Sequence, residues 1–177
     1  MPYAVTHFLV ALILVGLWRD FFVKDKKRFP LFYVLLGGIA GMLPDVDIAV
    51  YYFLSFFGYA FSEVHRTFTH SLFFPLIFFV LGCLSFLFHK KIEIHHLRVR
   101  NILFVLAFGI FTHIALDALV AGTVLPFYPF SSYPFGLNLV GLLPADWMST
   151  FLQSVDAGLF LIWICYLEWK HRISDFI

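Results

Sequence analysis

Charge is scarce in this sequence. Of 177 residues, 12 are Lys or Arg and 11 are Asp or Glu, and they nearly cancel to a net charge of +1. With no basic excess and no basic stripe among the aromatics, no nucleic-acid partner is expected. Cysteine is rarer still. Cys83 and Cys165 each lie inside an apolar run, which suits small core hydrophobes rather than a disulfide or a thiolate metal pair. The N-terminal apolar stretch lacks a basic lead-in and a small-residue cleavage site, so it reads as a retained span. No HExxH occurs, which disfavours a metalloprotease of that kind.

Apolar side chains fill the chain instead. Hydrophobic residues make up 62%, with 25 Phe and a mean hydropathy of +0.91. A soluble domain is only about half apolar, so an integral membrane protein is expected: one all-α helix bundle over residues 1–177. About 20 apolar residues are needed to cross a bilayer. Five runs qualify, at about 3–23, 31–57, 71–88, 101–120 and 151–168. The second contains "GGIAGMLPDVD", whose glycines and Pro44 predict a broken helix, leaving residues 48–61 free to lie along the interface.

The basic residues orient the bundle. Arg19, Lys24, Lys26, Lys27 and Arg28 follow the first run, Lys90, Lys91, Arg98 and Arg100 the third, and Lys170 and Arg172 the fifth. Five spans put all three groups on one side, which the positive-inside rule makes cytoplasmic. The N-terminus is then outside and the C-terminus inside, with Arg66 the exception on the outer side.

The remaining ionisable residues sort by depth. His7 opens the first run, and Asp45 and Asp47 lie roughly 21–24 Å from the inner start of the second. His65, Arg66 and His70 precede the third, while His113 and Asp117 lie roughly 18 and 24 Å above the inner end of the fourth. Four runs thus deliver histidines and carboxylates to one outer level. His89, His95, His96 and His171 fall among basic residues and read as solvated. A carboxylate at a helix centre costs about 2.5–3.5 kcal/mol, so something must offset three of them. A divalent ion does so best, since neutral imidazoles and carboxylates are its ordinary ligands.

Local spacing agrees. His113 and Asp117 are four apart, on one helix face. Asp45 and Asp47 follow the breaker Pro44, and Asp47 ranks below Asp45 because it can cap the next helix. Pro75 is tolerated only near a helix start, which puts His70 at that start and His65 in the loop before it. Thr-His occurs three times, at 6–7, 69–70 and 112–113, and each hydroxyl is placed to support a ligand or bond the helix backbone.

The segments "TH" near the N-terminus, "LPDVD", "HRTFTHS" and "HIALDAL", in that order between His7 and about Pro129, resemble the YdjM-like family of membrane-bound metal-dependent hydrolases. That family is considered a distant relative of the zinc-dependent phospholipase C and single-strand nuclease superfamily. The resemblance implies a prokaryotic plasma-membrane enzyme with His7, Asp45, His70, His113 and Asp117 as ligands and His65 as a further ligand or acid/base group. It implies one or two divalent ions, zinc foremost. A second H-x-x-x-[DE] helix is missing, and only Asp156 is placed to stand in.

The expected chemistry is phosphoester hydrolysis, with His65, Arg66 and Asp117 catalytic and Asp117 bridging two ions. Arg66 is suited to grip a phosphate oxygen. The depth of the site points to a lipid or lipid-linked substrate at the outer leaflet. The 121–150 connection, long, aromatic and holding four of the eight prolines, reads as a cover or lateral gate. Two alternatives stay open: a divalent-metal transporter, which lacks a convincing internal repeat here, and a purely structural metal.

Overall fold

The computed structural model describes residues 3–87, 93–94, 97–120 and 122–176. Its helices are α1 (Ala4–Phe22), α2 (Leu31–Ala40), α3 (Asp47–Leu54), α4 (Phe61–Val64), α5 (Phe73–Leu84), α6 (Val99–Val120) and α7 (Ala145–His171). A short hairpin, β1 (Glu93–Ile94) with β2 (Leu97–Arg98), is the only sheet among the described residues. His89, Lys90, Lys91, His95 and His96 lie outside them.

Among the described residues, α1, α6 and α7 are long and apolar enough to cross a membrane, and a bent pair makes a fourth. The expected third span, 71–88, contains among the described residues only the 12-residue α5. That helix is about 18 Å long against a hydrocarbon core of about 30 Å. Its ends explain the shortfall. The Leu72 amide donates to Pro126 O at 2.9 Å, Pro75 occupies the first turn, and residues 85–87 already leave the helix. Length and apolarity therefore support three to four spans where five were expected.

The second run breaks where its glycines and Pro44 predict. After Ala40 the chain tightens into a 3-10 turn at Leu43–Val46, and Leu43–Phe57 leaves the α2 axis by 51°. α7 starts six residues earlier than expected, behind Pro144, so the aromatic connection is 122–144. It is tied down by a bridge between Val124 and Phe135 and by the Leu137 amide on Ala118 O.

Small residues let α1, α2 and α6 approach closely, as packing between membrane helices requires. A Cβ on Gly109 would lie 2.5 Å from Ala40 Cβ, and one on Gly41 would lie 2.6 Å from His7 O. The end of α2 is therefore wedged between His7 on α1 and the His113 turn of α6. Cys83 and Cys165 are free and exposed, not core residues as expected. In a membrane protein an apolar run can face lipid instead of a core.

The opposite end of the bundle gathers the basic segments. Asn101 Nδ2 donates to Arg28 O at 3.4 Å, and Tyr33 Oη bonds the backbone of Arg98. Asp20 receives Arg19 Nη1 at 2.7 Å, Tyr166 Oη at 2.5 Å and His171 Nε2 at 3.0 Å, with Lys26 Nζ at 3.7 Å. His171, expected to be solvated, is thus held by a buried carboxylate.

Candidate metal centre

Three histidines and two carboxylates meet at the other end. His7 comes from the first turn of α1, Asp45 from the 3-10 turn after α2, His70 from the turn before α5, and His113 and Asp117 from successive turns of α6. His65, at the end of α4, joins from the side. Three overlapping sets each bring their ligand atoms within 4.8 Å of one another: His7, Asp45 and His113; Asp45, His65 and His70; His70, His113 and Asp117. All six metal-ligand candidates from the sequence are therefore brought together.

The distances suit a coordination shell. Asp45 Oδ1 is 3.5 Å from both His70 Nε2 and His113 Nε2. His7 Nε2 is 3.5 Å from Asp117 Oδ1, and Asp117 Oδ2 is 3.7 and 3.9 Å from His70 and His113. Ligands at about 2.0–2.1 Å from a tetrahedral ion lie about 3.3–3.4 Å apart. These separations are close to that edge and long for a hydrogen bond.

Protonation sharpens the point. His113 Nδ1 faces Gly41 O at 2.7 Å, and a carbonyl only accepts. His70 Nδ1 faces the Asp47 carboxylate at 3.3 Å. Where both rings are neutral their hydrogens sit on Nδ1 and their Nε2 lone pairs face each other across 3.2 Å, a juxtaposition that only a proton or a metal ion between them relieves. Buried polar atoms without a hydrogen-bond partner also sit here: both His7 ring nitrogens, Asp45 Oδ1, His65 Nε2 and Asp117 Oδ1. Such a group of inward lone pairs is costly unless a cation joins it. The donor set therefore fits a divalent ion, and zinc or a similar metal suits its imidazoles and carboxylates.

Charge balance agrees. The cluster holds Asp45, Asp47 and Asp117 against one permanent cation, Arg66, whose Nη2 is 3.2 Å from Asp117 Oδ2. Two negative charges are left when the histidines are neutral. Burial works against charge on His70, but Asp45 and Asp47 outweigh it and raise its pKa above the ordinary histidine value.

The other candidates take lesser places. Asp47 is in none of the three sets, and Asp156 accepts the Thr6 hydroxyl beside His7. Thr69 donates to Asp47 and Thr112 to Phe108 O, the two roles expected of the Thr-His hydroxyls. Glu63 bonds the Ala60 amide at 2.7 Å. Sequence reasoning missed Gly41 O, whose only signal is the glycine-rich break before Pro44, and Asp20, a lone carboxylate at the end of an apolar run.

Asp45 and Arg66 are each about a fifth exposed, while His7, His70, His113 and Asp117 are fully buried. An apolar groove of about 920 Å³ runs along α1, α5 and α6, lined by residues such as Trp18, Leu76, Phe79 and Phe108, and no cluster donor lines it. The family model described as YdjM inner membrane protein matches residues 1–172. No curated protein and no solved structure matches this chain.

Proposed function

The chain belongs to the YdjM inner membrane protein family, and from that premise we propose that it is a membrane-embedded, metal-dependent hydrolase of phosphoesters in lipids or lipid-linked molecules. The observation that carries the reading is the inward set of lone pairs at His7, His70, His113, Asp45 and Asp117. A divalent ion held there would activate water near neutral pH and polarise a phosphoryl oxygen.

The chain's own groups divide the remaining work. Asp45 and Arg66, at the exposed edge, meet a substrate first. The Arg66 guanidinium offers two parallel N–H donors to a phosphate, and its present partner, Asp117 Oδ2, orients it toward the centre. His65 Nε2, buried and without a hydrogen-bond partner, is the group positioned to accept or return a proton if it does not bind the ion. Exposed aromatics on both flanks, Phe56, Phe57, Phe130 and Tyr133, suit a headgroup-level substrate.

The same reading also orients the molecule. The basic segments gathered around Asp20 and Arg28 belong to the cytoplasmic side. The metal centre, at the opposite end, then faces the outer leaflet, and the N-terminus lies outside.

Near-complete burial of four donors favours one competing reading, a closed structural metal site. Purified protein is tested by elemental analysis and then against phosphomonoester and phosphodiester lipids. The hydrolase reading requires zinc-dependent cleavage that His113→Gln abolishes. Cleavage that persists in a chelated, folded sample ends it. A metal whose removal only unfolds the protein, with no lipid cleaved, selects the structural site.

A further inference from the structure

We propose that Asp47 is the positioning carboxylate of the centre, holding His65 and His70 in the tautomer that turns their Nε2 lone pairs inward and so setting how many histidines bind a divalent cation. This role rests on the metal-centre reading above and falls to a residue outside all three donor sets.

Asp47 is 5% exposed and receives four donors on two oxygens. Oδ1 is 2.8 Å from His65 Nδ1. Oδ2 accepts the Thr69 hydroxyl at 2.7 Å and the Arg66 amide at 3.3 Å, and lies 3.3 Å from His70 Nδ1. A carboxylate has no hydrogen to give, so His65 must present Nδ1–H to it. The Thr69 hydroxyl gives its own hydrogen to Asp47, so His70 Nδ1, 3.0 Å from that hydroxyl oxygen, must carry a hydrogen as well. The other nitrogen of each ring is thereby left bare on the side of the cluster. At His65 that atom is buried without a hydrogen-bond partner, and at His70 it faces Asp45 and His113.

The same carboxylate shapes the backbone. Arg66 sits at φ 63°, in the left-handed region that a non-glycine residue rarely adopts. Its amide bond to Asp47 helps hold the turn that carries His65 and His70 to one centre and the Arg66 guanidinium to Asp117. One side chain thus sets the tautomer of two histidines and the path between them.

An amide cannot substitute. Asn at this position has one accepting oxygen and one donating NH2. The oxygen belongs where the Thr69 hydroxyl and the Arg66 amide both donate. The NH2 then faces His65, which must meet it with a bare Nδ1. That ring then carries its hydrogen on Nε2, aimed into the cluster, and cannot bind the ion. Asp47→Asn therefore removes one ligand without touching it.

The test uses the full-length protein in detergent, stripped and titrated with zinc alone. Asp47→Asn is expected to keep its helical content and bind zinc about 10–100-fold more weakly. In 15N-histidine spectra of the zinc-loaded wild type, His65 and His70, assigned through His65→Gln and His70→Gln, are expected as Nδ1–H rings. In Asp47→Asn, His65 moves to Nε2–H. Unchanged zinc affinity in the variant, or an Nε2–H tautomer of either ring in the wild type, overturns the role of Asp47 alone. The wild-type spectra decide the matter even if the variant does not fold. A wild type that takes up no zinc sinks the metal-centre reading and this role with it.

Discussion

Individual atoms at the cluster say more than residue identities do. A histidine at membrane depth is ambiguous until the partner of its second nitrogen is known. Gly41 O settles that for His113, and the Thr69 hydroxyl together with Asp47 does so for His70. The raised pKa of His70 carries a sign that can be worked out. Below that pKa the ring holds a proton on the nitrogen a metal would need, so proton and metal compete. Zinc affinity should therefore fall on acidification, and the fall should begin above the pH at which an ordinary histidine protonates. Isothermal titration between pH 8 and 6 checks this, and a flat profile would remove His70 from the ligands.

Helix packing brings those atoms together. α2 ends against both α1 and α6, and the absence of a side chain at Gly109 and Gly41 permits it. Gly109→Val should push α6 off Ala40 and the Gly37 carbonyl, costing about 1–3 kcal/mol and loosening the Gly41–His113 bond. Thermal unfolding in detergent and zinc titration read the two effects. Gly158, with nothing within 4 Å of a built Cβ, is the control, and its change to Ala should lower neither. α7 is attached differently, by Thr6–Asp156 near one end and by Asp20 with Tyr166 and His171 near the other. Asp20→Ala leaves Arg19 without its buried partner and should cost about 3 kcal/mol. Its zinc affinity should stay as in wild type, because 13 residues of helix, roughly 20 Å, separate Asp20 from His7.

The molecule as a whole is polarised end to end. One end carries the basic segments and the Asp20 network, the other the histidine–carboxylate cluster. The positive-inside rule then predicts labelling by side. With Cys83 and Cys165 changed to Ser, a cysteine at Ser132 should react with an impermeant maleimide added to intact cells. A cysteine at Lys24 should react only after permeabilisation, and the reverse pattern would turn the metal centre to the cytoplasm.

Membrane character, the broken second run and the six candidate ligands follow from the sequence, because charge inside an apolar run is costly and therefore conspicuous wherever it occurs. His7, His70 and His113 stand out against their neighbours for that reason alone. Spacing could not reveal which carboxylate ligates and which orients, since Asp45 and Asp47 are two residues apart in the same turn. That division depends on which oxygens meet which ring nitrogens across four separate segments. The shortness of α5, the exposure of both cysteines and the pairing of His171 with Asp20 are likewise matters of contact. Only the assembled bundle decides them, because each requires a partner distant in the chain or the lipid outside it.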